Sequence, residues 1–395
     1  MRSENPKKRA FQFIILLGIV SLFGDITYEG ARSVTGPYLA VLGASAGIVG
    51  LVAGLGEFIG YFLRLASGYL ADRTHRYWPI TIIGYGLLVS IPLLAFAGYW
   101  QVAALLIVLE RMGKGIRTPA RDAILSHATK QVGRGLGFGI HEAIDQIGAI
   151  IGPLIFSAVF LFQGGYREGF TILWIPALLC VAILLVARTK VPSPEKLETP
   201  GGTSGQNIKG KSRLPKVFWS YALFSFLSVA GFANFQLISY HFKVQSVVSD
   251  VQIPIFYAIA MGVDALVALI IGKTYDKIGL VSLITIPVLT LPIPFFAFSH
   301  SYSLAVTSIV LWGAVMGIHE TIMRAAIADL TPIEHRGFAY GIFNTVYGAS
   351  WFFGSALVGL LYDVSIGYLI LFVVAMEVAS LPVFFLVKKE AARAL

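Results

Sequence analysis

The chain is assembled from apolar runs too long for strands. Pro79 to Leu109, Ile172 to Ala187 and Val281 to Ser299 contain no charged residue, and neither does Ala10 to Val20. Strands rarely exceed about ten residues. A helix that crosses a bilayer needs roughly 18 or more apolar residues, and it satisfies its own backbone polar groups on the way. Composition agrees: 13% of residues are charged and 56% hydrophobic, where a soluble domain carries about a quarter charged. The expected fold class is an all-α polytopic membrane protein.

Twelve spans are expected, near 11–32, 45–70, 79–98, 101–119, 135–161, 169–188, 217–243, 251–272, 280–298, 302–325, 336–361 and 366–387. The basic start (Arg2, Lys7, Lys8, Arg9) leads into a span-length run without a small-residue cleavage site, so it reads as the first span and not a signal peptide. With the N-terminus inside, most of the 30 Lys and Arg fall in inner loops, Lys209, Lys211, Arg213 and Lys216 among them. Outer loops keep little beyond Arg167 and Lys243. The positive-inside rule then places both termini in the cytoplasm of a plasma membrane. The net charge of +9 is accounted for by topology and anionic lipid, and a nucleic-acid partner is not expected. The single cysteine, Cys180, permits no intrachain disulfide and argues against a cysteine metal site.

Residues 189–216 carry Pro192, Pro194, Pro200, Gly201, Gly202, Gly205 and Gly210 among charges, the composition of a flexible linker. It divides the chain into an N-terminal six-helix bundle, 1–188, and a C-terminal one, 217–395. The halves repeat. Gly68-Tyr-Leu-Ala-Asp72-Arg73 is answered 204 residues later by Gly272-Lys-Thr-Tyr-Asp276-Lys277. Gly115-Ile116, Arg134-Gly135 and Gly139-Ile140 are answered 202 residues later by Gly317-Ile318, Arg336-Gly337 and Gly341-Ile342. Parallel six-span repeats are a common plan for secondary transporters, with the site near the midplane.

On these residues the chain resembles the major facilitator superfamily over essentially its whole length. Gly68-x-x-x-Asp72-Arg73-x-x-Arg76 is similar to the signature loop of that superfamily, departing at His75, where the family usually has glycine. Arg111-x-x-Lys114-Gly115 is similar to its embedded-arginine motif, with Lys114 for the usual glutamine. Gly148-x-x-x-Gly152-Pro153 resembles its antiporter motif. Gly113 to Asp122 resembles a prokaryotic branch of unassigned substrate. The resemblance implies two six-helix bundles, no cofactor, alternating access and a gate of Gly68, Asp72, Arg73, Arg76, Asp122, Asp276 and Lys277. In that gate Gly68 lets helices close up, Asp72 accepts from N–H groups at a neighbouring helix N-terminus, and Arg73 pairs with Asp122.

Embedded charges mark the candidate site. Asp25, Glu29 and Arg32, with Tyr28 between, share one face of the first span. Glu57, Tyr61 and Arg64 do so in the second. The fourth holds Glu110, Arg111, Lys114 and Arg117, and the fifth His141, Glu142 and Asp145. Such residues cost several kcal/mol unless they face protein or water. Burial raises a carboxylate's pKa and a nearby cation lowers it, so a carboxylate whose partner swaps can load and release a proton. Asp25, Glu29, Glu142 and Asp145 are the expected proton sites, tuned by Arg111. The competing reading is a static weld of salt bridges. Tyr28, Arg32, Glu57, Arg64, Glu110, His141, Asn234, Gln236, Tyr240, Asn344 and Tyr347 are the expected solute contacts, with Phe235, Tyr257 and Trp351 as aromatic surface; His141 alone is more often a packing residue than a ligand.

No phosphate loop with its lysine, zinc helix or nucleophile elbow is present, and Gly135, Gly137 and Gly139 open a span without a preceding strand. An enzyme is therefore not expected. The expectation is a monomeric secondary transporter for a small polar or charged solute or ion, exporting it against protons. A proton-coupled importer and a metal-cation exporter are the alternatives within that class. A membrane-embedded enzyme, a receptor or a channel on the same scaffold are the alternatives outside it.

Overall fold

The structure is a computed structural model that describes residues 6–194, 214–331 and 335–394. Among the described residues every regular element is helical. Most of the linker at 189–216 lies outside them, as do Arg2, Lys196, Lys209, Lys211 and Arg213 of the inner-loop charges.

The first two spans are single helices, α1 (Pro6–Val41) and α2 (Ala46–Thr74). The third is α3 (Tyr77–Gly86) continued through 3₁₀ turns and α4 (Ser90–Leu93). Then come α5 (Trp100–Val132) and α6 (Arg134–Leu161), and a sixth span made of α7 (Tyr166–Ile172) and α8 (Trp174–Lys190). The seventh is α9 (Lys216–Ala230) followed by α10 (Phe235–Val244), and the eighth α11 (Gln252–Ile278). The ninth opens with a 3₁₀ stretch, Gly279–Ile284, and goes on through α12 (Thr285–Thr290) and α13 (Ile293–Ala297). The last three are α14 (Tyr302–Leu330), α15 (Arg336–Val364) and α16 (Ile366–Ala394).

Ten stretches of the described residues are long and apolar enough to cross a membrane. One of them, Gln252–Ala297, has 46 residues, about 69 Å of helix and twice a bilayer core. It breaks at Gly279, whose φ is +59°, and so holds the eighth and ninth spans. The fourth span, α5, has 33 residues and carries Glu110, Arg111, Lys114 and Arg117. The described helices are consistent with twelve spans.

Three helices depart from the expected bounds. α1 runs on to Val41 and α5 to Val132. The roughly three and a half turns added to α5 include Arg121, Asp122 and His127. The seventh span is broken, because Gly231 to Asn234 interrupt it and Asn234 restarts it. The Asn234 side-chain oxygen accepts from the Leu237 N–H at 2.8 Å, the N-cap bond that satisfies an orphan donor of a new helix.

The internal repeat extends to backbone geometry. α2 ends on His75 with φ +52° and α11 on Gly279 with φ +59°, 204 residues apart like the two loop motifs. Both loops need one left-handed residue, a conformation that glycine adopts without a steric penalty. His75 holds it while its Nδ1 lies 3.3 Å from the Tyr77 hydroxyl. His75→Gly is expected to fold normally. His75→Val, β-branched where φ is positive, is expected to lose about 1–2 kcal/mol. Thermal unfolding of the two variants in detergent is the check, and equal midpoints would dismiss the strain argument.

The helices form two compact units. One takes in Met1–Arg32 and Phe62–Asn207, the other Ser33–Tyr61 and Ile208–Leu395, each with respect to its described residues. In the first unit Ile14, Leu17, Leu88, Ile124 and Leu184 are fully or almost fully buried around Tyr85. The Trp78 indole donates to the Val191 carbonyl at 3.0 Å. Cys180 is fully buried, its thiol 3.2 Å from the Val20 carbonyl. In the second unit an aromatic core closes around the α9–α10 break. Phe232 stacks on Trp312 with centroids 5.6 Å apart, Phe235 meets Tyr257 edge-on at 4.6 Å, and the Trp312 indole donates to the Ala233 carbonyl at 3.0 Å.

Candidate functional site

The charge cluster of the first unit stands where α1 meets α5 and α6. Glycine sets the α1–α6 spacing. A Cβ on Gly148 would lie 2.4 Å from the Leu22 carbonyl oxygen, and one on Gly152 2.5 Å from that of Ile26. Small residues let membrane helices approach to backbone contact. The antiporter-like motif thus has a packing role that can be read directly: it brings His141 and Asp145 on α6 up to the charged face of α1.

Ser21 is the node at one end of that face. Its hydroxyl lies 3.2 Å from the Tyr85 hydroxyl and 3.0 Å from His141 Nε2, and it accepts from Arg121 at 3.2 Å. Four spans meet there, and His141 is the hydrogen-bonded packing residue of the plainer reading. One and two turns on, Glu29 is 6% exposed and sits 3.7 Å from Arg32 and 3.7 Å from Lys114. The Tyr28 ring lies under two cations, with Lys114 Nζ 3.9 Å and the Arg111 guanidinium 4.6 Å from its centroid. Desolvated cation–π contacts of this kind contribute about 2 kcal/mol. The lysine that replaces the usual glutamine bridges carboxylate and phenol ring.

Glu110 is occupied by Arg117 at 3.5 Å, with side chains 2% and 3% exposed, and the same guanidinium lies 4.8 Å from the Tyr85 centroid. This pair has the character of the weld. Asp25 and Asp145 differ from the other acids. Among the described residues neither makes an ion pair, and Asp145 Oδ1 is buried without a hydrogen-bond partner. Asp145 acts electrostatically on Asp25, both feel Lys114 and Glu29, and Asp145 also feels the Arg121 guanidinium and Glu142. Glu142 is on the exposed side of α6 and accepts from Gln146 at 3.3 Å.

The gate residues are arranged otherwise than expected. Arg73 and Asp122 do not pair: Asp122 is taken by Arg121 of the same helix at 2.9 Å, and Arg73 donates to Tyr69 at 3.4 Å. An adjacent arginine reaches the carboxylate with less ordering of chain than one from another loop. Asp72, Arg76, Asp276 and Lys277 are exposed. The carboxylate that accepts at a helix N-terminus is Asp363 at the end of α15, which takes the N–H groups of Ala46 at 3.1 Å and Gly47 at 2.8 Å. Gly68 is not a point of forced approach either, since a Cβ there would meet Pro119 at an ordinary 3.5 Å.

In the second unit Asn344 and Tyr347 line a cavity of about 10 Å³ with Tyr61, His319, Glu320, Arg324 and Phe343. That is room for about one water. Tyr61 and Tyr347 meet edge-on at 5.1 Å. Tyr240 packs on Tyr362 at 5.9 Å. Asn234 and Gln236 are 2% and 5% exposed, and the Asn234 oxygen is spent on the cap. Phe235, Tyr257 and Trp351, expected as solute surface, are buried in the aromatic core at 0%, 0% and 3% exposure, because the helix break has to be packed shut. Glu57 and Arg64 are half-buried, in the second and first units respectively.

Three groups, one half-buried and two buried, were outside the expected set. Arg121 links Asp122 to Ser21. His319 is 1% exposed, both ring nitrogens lack hydrogen-bond partners among the described residues, and its ring meets Phe232 at 5.2 Å. Glu377 is fully buried on α16. The last was readable in principle, as a lone acid in the apolar run Ile366 to Val387, but it has no neighbouring base in sequence to form a pattern.

Comparison with known proteins agrees with fold and motifs. The sequence profile of the Major Facilitator Superfamily matches residues 14–355 and 282–394. An uncharacterized protein of Mycobacterium tuberculosis is 42% identical over 389 residues, 98% of this chain and 95% of the relative. An uncharacterized MFS-type transporter of Methanocaldococcus jannaschii is 29% identical over 379 residues, 92% of this chain and 91% of the other. Among solved structures, a bacterial homolog of the human lysosomal transporter Spinster, inward-facing and unoccupied, aligns with TM-score 0.75 at 14% identity, over 99% of this chain and 98% of that one. The nucleoside transporter NupG aligns with TM-score 0.72 at 16% identity, over 96% and 98%. Repeat, signature loop, helical fold and sequence profile converge, and the chain belongs to the Major Facilitator Superfamily of transporters.

Proposed function

We propose that this transporter is a proton-coupled exporter of a small polar or charged solute, working by alternating access. It sits in the plasma membrane with both termini cytoplasmic, and its two six-helix repeats are 1–188 and 217–395. The observation that supports coupling is the Asp25–Asp145 pair. Neighbouring carboxylates, neither of them in an ion pair among the described residues, share a site most cheaply when one carries a proton. Glu29, held by Lys114 and Arg32, is the neighbour whose partners a cationic solute would displace or an anionic one would borrow. Glu110–Arg117 serves as the fixed weld beside the moving pair. The glycine-packed α1–α6 contact, the feature shared with antiporter motifs, supports export over import.

The test is flux into vesicles. The purified protein is reconstituted with a pH dye inside, and panels of amines, nucleosides, sugars and organic acids are added under an imposed gradient. An acid interior is expected to drive accumulation of at least one class, with the interior becoming more alkaline as protons leave. Accumulation driven only by an acid exterior would replace export by symport. Flux of a solute that ignores the gradient would remove proton coupling.

A further inference from the structure

The second unit carries an ionisable group that the charge cluster does not use. Glu377 lies midway along α16, fully buried, and neither carboxyl oxygen has a hydrogen-bond partner among the described residues. Buried polar atoms are nearly always partnered, and an exception requires a reason.

Its surroundings follow from the register of α16 on α9. Ser220 donates to Glu390 at 2.7 Å, Phe224 meets Phe384 at 6.0 Å, and a Cβ on Gly231 would fall 2.5 Å from Glu377 Oε1. The helices therefore run antiparallel, and the carboxyl is set against the end of α9 where the seventh span breaks. Gly231 makes the room: any side chain there would occupy the carboxyl's position. Ser225 and Ser228 on α9 are fully buried, and the Ser228 hydroxyl also lacks a partner among the described residues. The Ser380 hydroxyl donates to the Glu377 backbone carbonyl at 2.7 Å. A polar seam thus runs through an otherwise apolar helix pair.

Among the described residues no cation serves this seam. α9 contributes Lys216 and Tyr221, α15 contributes Arg336, Tyr340, Tyr347, Tyr362 and Asp363, and α16 itself Tyr368, Lys388, Lys389, Glu390 and Arg393. α12, α13 and the 3₁₀ stretch before them, which also pack on α16, have no charged residue. The charged groups stand at helix ends, and the Tyr221 hydroxyl is committed to the Met323 carbonyl at 2.6 Å. An ionised carboxylate in such a place has neither solvent nor counter-ion to offset its burial.

We propose that Glu377 is a proton-binding site of the second unit, seated in a notch cut by Gly231 and loaded or emptied as the α9–α10 break moves. The binding of the proton stands on the seam alone; its turnover rests on the proton-coupled reading above. When the seam opens, water or the serine hydroxyls can stabilise the carboxylate and the proton leaves; when it closes, only the neutral acid fits.

Dicyclohexylcarbodiimide, an apolar reagent that reacts with protonated carboxyls inside membranes, is the probe. Reconstituted native protein is expected to form the adduct on Glu377, located by peptide mass spectrometry, at a rate that falls with rising pH. Glu377→Gln is isosteric and is expected to fold, to lose that adduct and to lose gradient-driven flux, while Glu377→Asp keeps the adduct. No adduct on Glu377 at any pH would overturn the site. An adduct together with unchanged coupling in Glu377→Gln would overturn its turnover. An adduct in a protein whose native flux ignores the gradient would leave the site standing and remove the exporter reading instead.

Discussion

Asp145→Asn, reconstituted beside the native chain, is expected to exchange solute between the two sides of a vesicle but to accumulate none of it under a pH gradient. Asp25→Asn should do the same. The amide keeps the size and most of the polarity of the acid, so helix packing at Gly148 and Gly152 is undisturbed. What it removes is the option of a charge. In the native site Asp25 senses Asp145, and both sense Lys114 and Glu29, so the state of one is linked to that of its neighbour, and titration belongs to the pair. With one member fixed neutral, the repulsion that expels a proton is gone. Exchange needs no net proton movement and so survives; accumulation needs it and falls to the level of empty vesicles. Glu142→Asn is a poor comparison because of its size, but Glu142→Gln, on the exposed side of α6, should retain accumulation. Unaltered accumulation in both aspartate variants would discard the pair as the coupling site.

The second large effect concerns the fold. Arg117→Met leaves Glu110 as a charge with 2% exposure and no partner from Arg117. Breaking a buried pair by removing one member costs about 3–5 kcal/mol. Removing both costs far less, since well-packed apolar pairs of similar volume are often neutral or better. The double variant Glu110→Gln, Arg117→Met should therefore recover much of the stability that Arg117→Met loses. A double-mutant cycle on unfolding midpoints in detergent measures this. Simple additivity of the two single losses would mean that the residues do not act as a pair.

The membrane fold was legible because apolar run length is a direct physical requirement of the bilayer. Twelve runs could be counted, and their helices begin within a few residues of the expected places. The charge cluster was legible for a related reason. Asp25, Glu29 and Arg32 recur at helical spacing, and so do Arg111, Lys114 and Arg117, which puts each set on one face. Which charge meets which was not legible. Asp122 chooses Arg121, its neighbour in sequence, over Arg73, because pairing depends on distances between helices that spacing along one helix does not encode. The break at Gly231 to Asn234 was missed because hydropathy runs through it unbroken; the Asn234 cap was its one local signal. Glu377 was missed because patterns of several charges draw attention that a solitary one does not.

Cys180 has a use outside transport. The one thiol of the chain is fully enclosed, so the natural sequence already behaves as an unreactive background for maleimide chemistry. A reporter cysteine placed at exposed Lys388 or at exposed Gln163 can be modified by impermeant reagents on intact cells without first engineering the native sulfur away, and the sidedness of each loop becomes a question that a single labelling reaction answers.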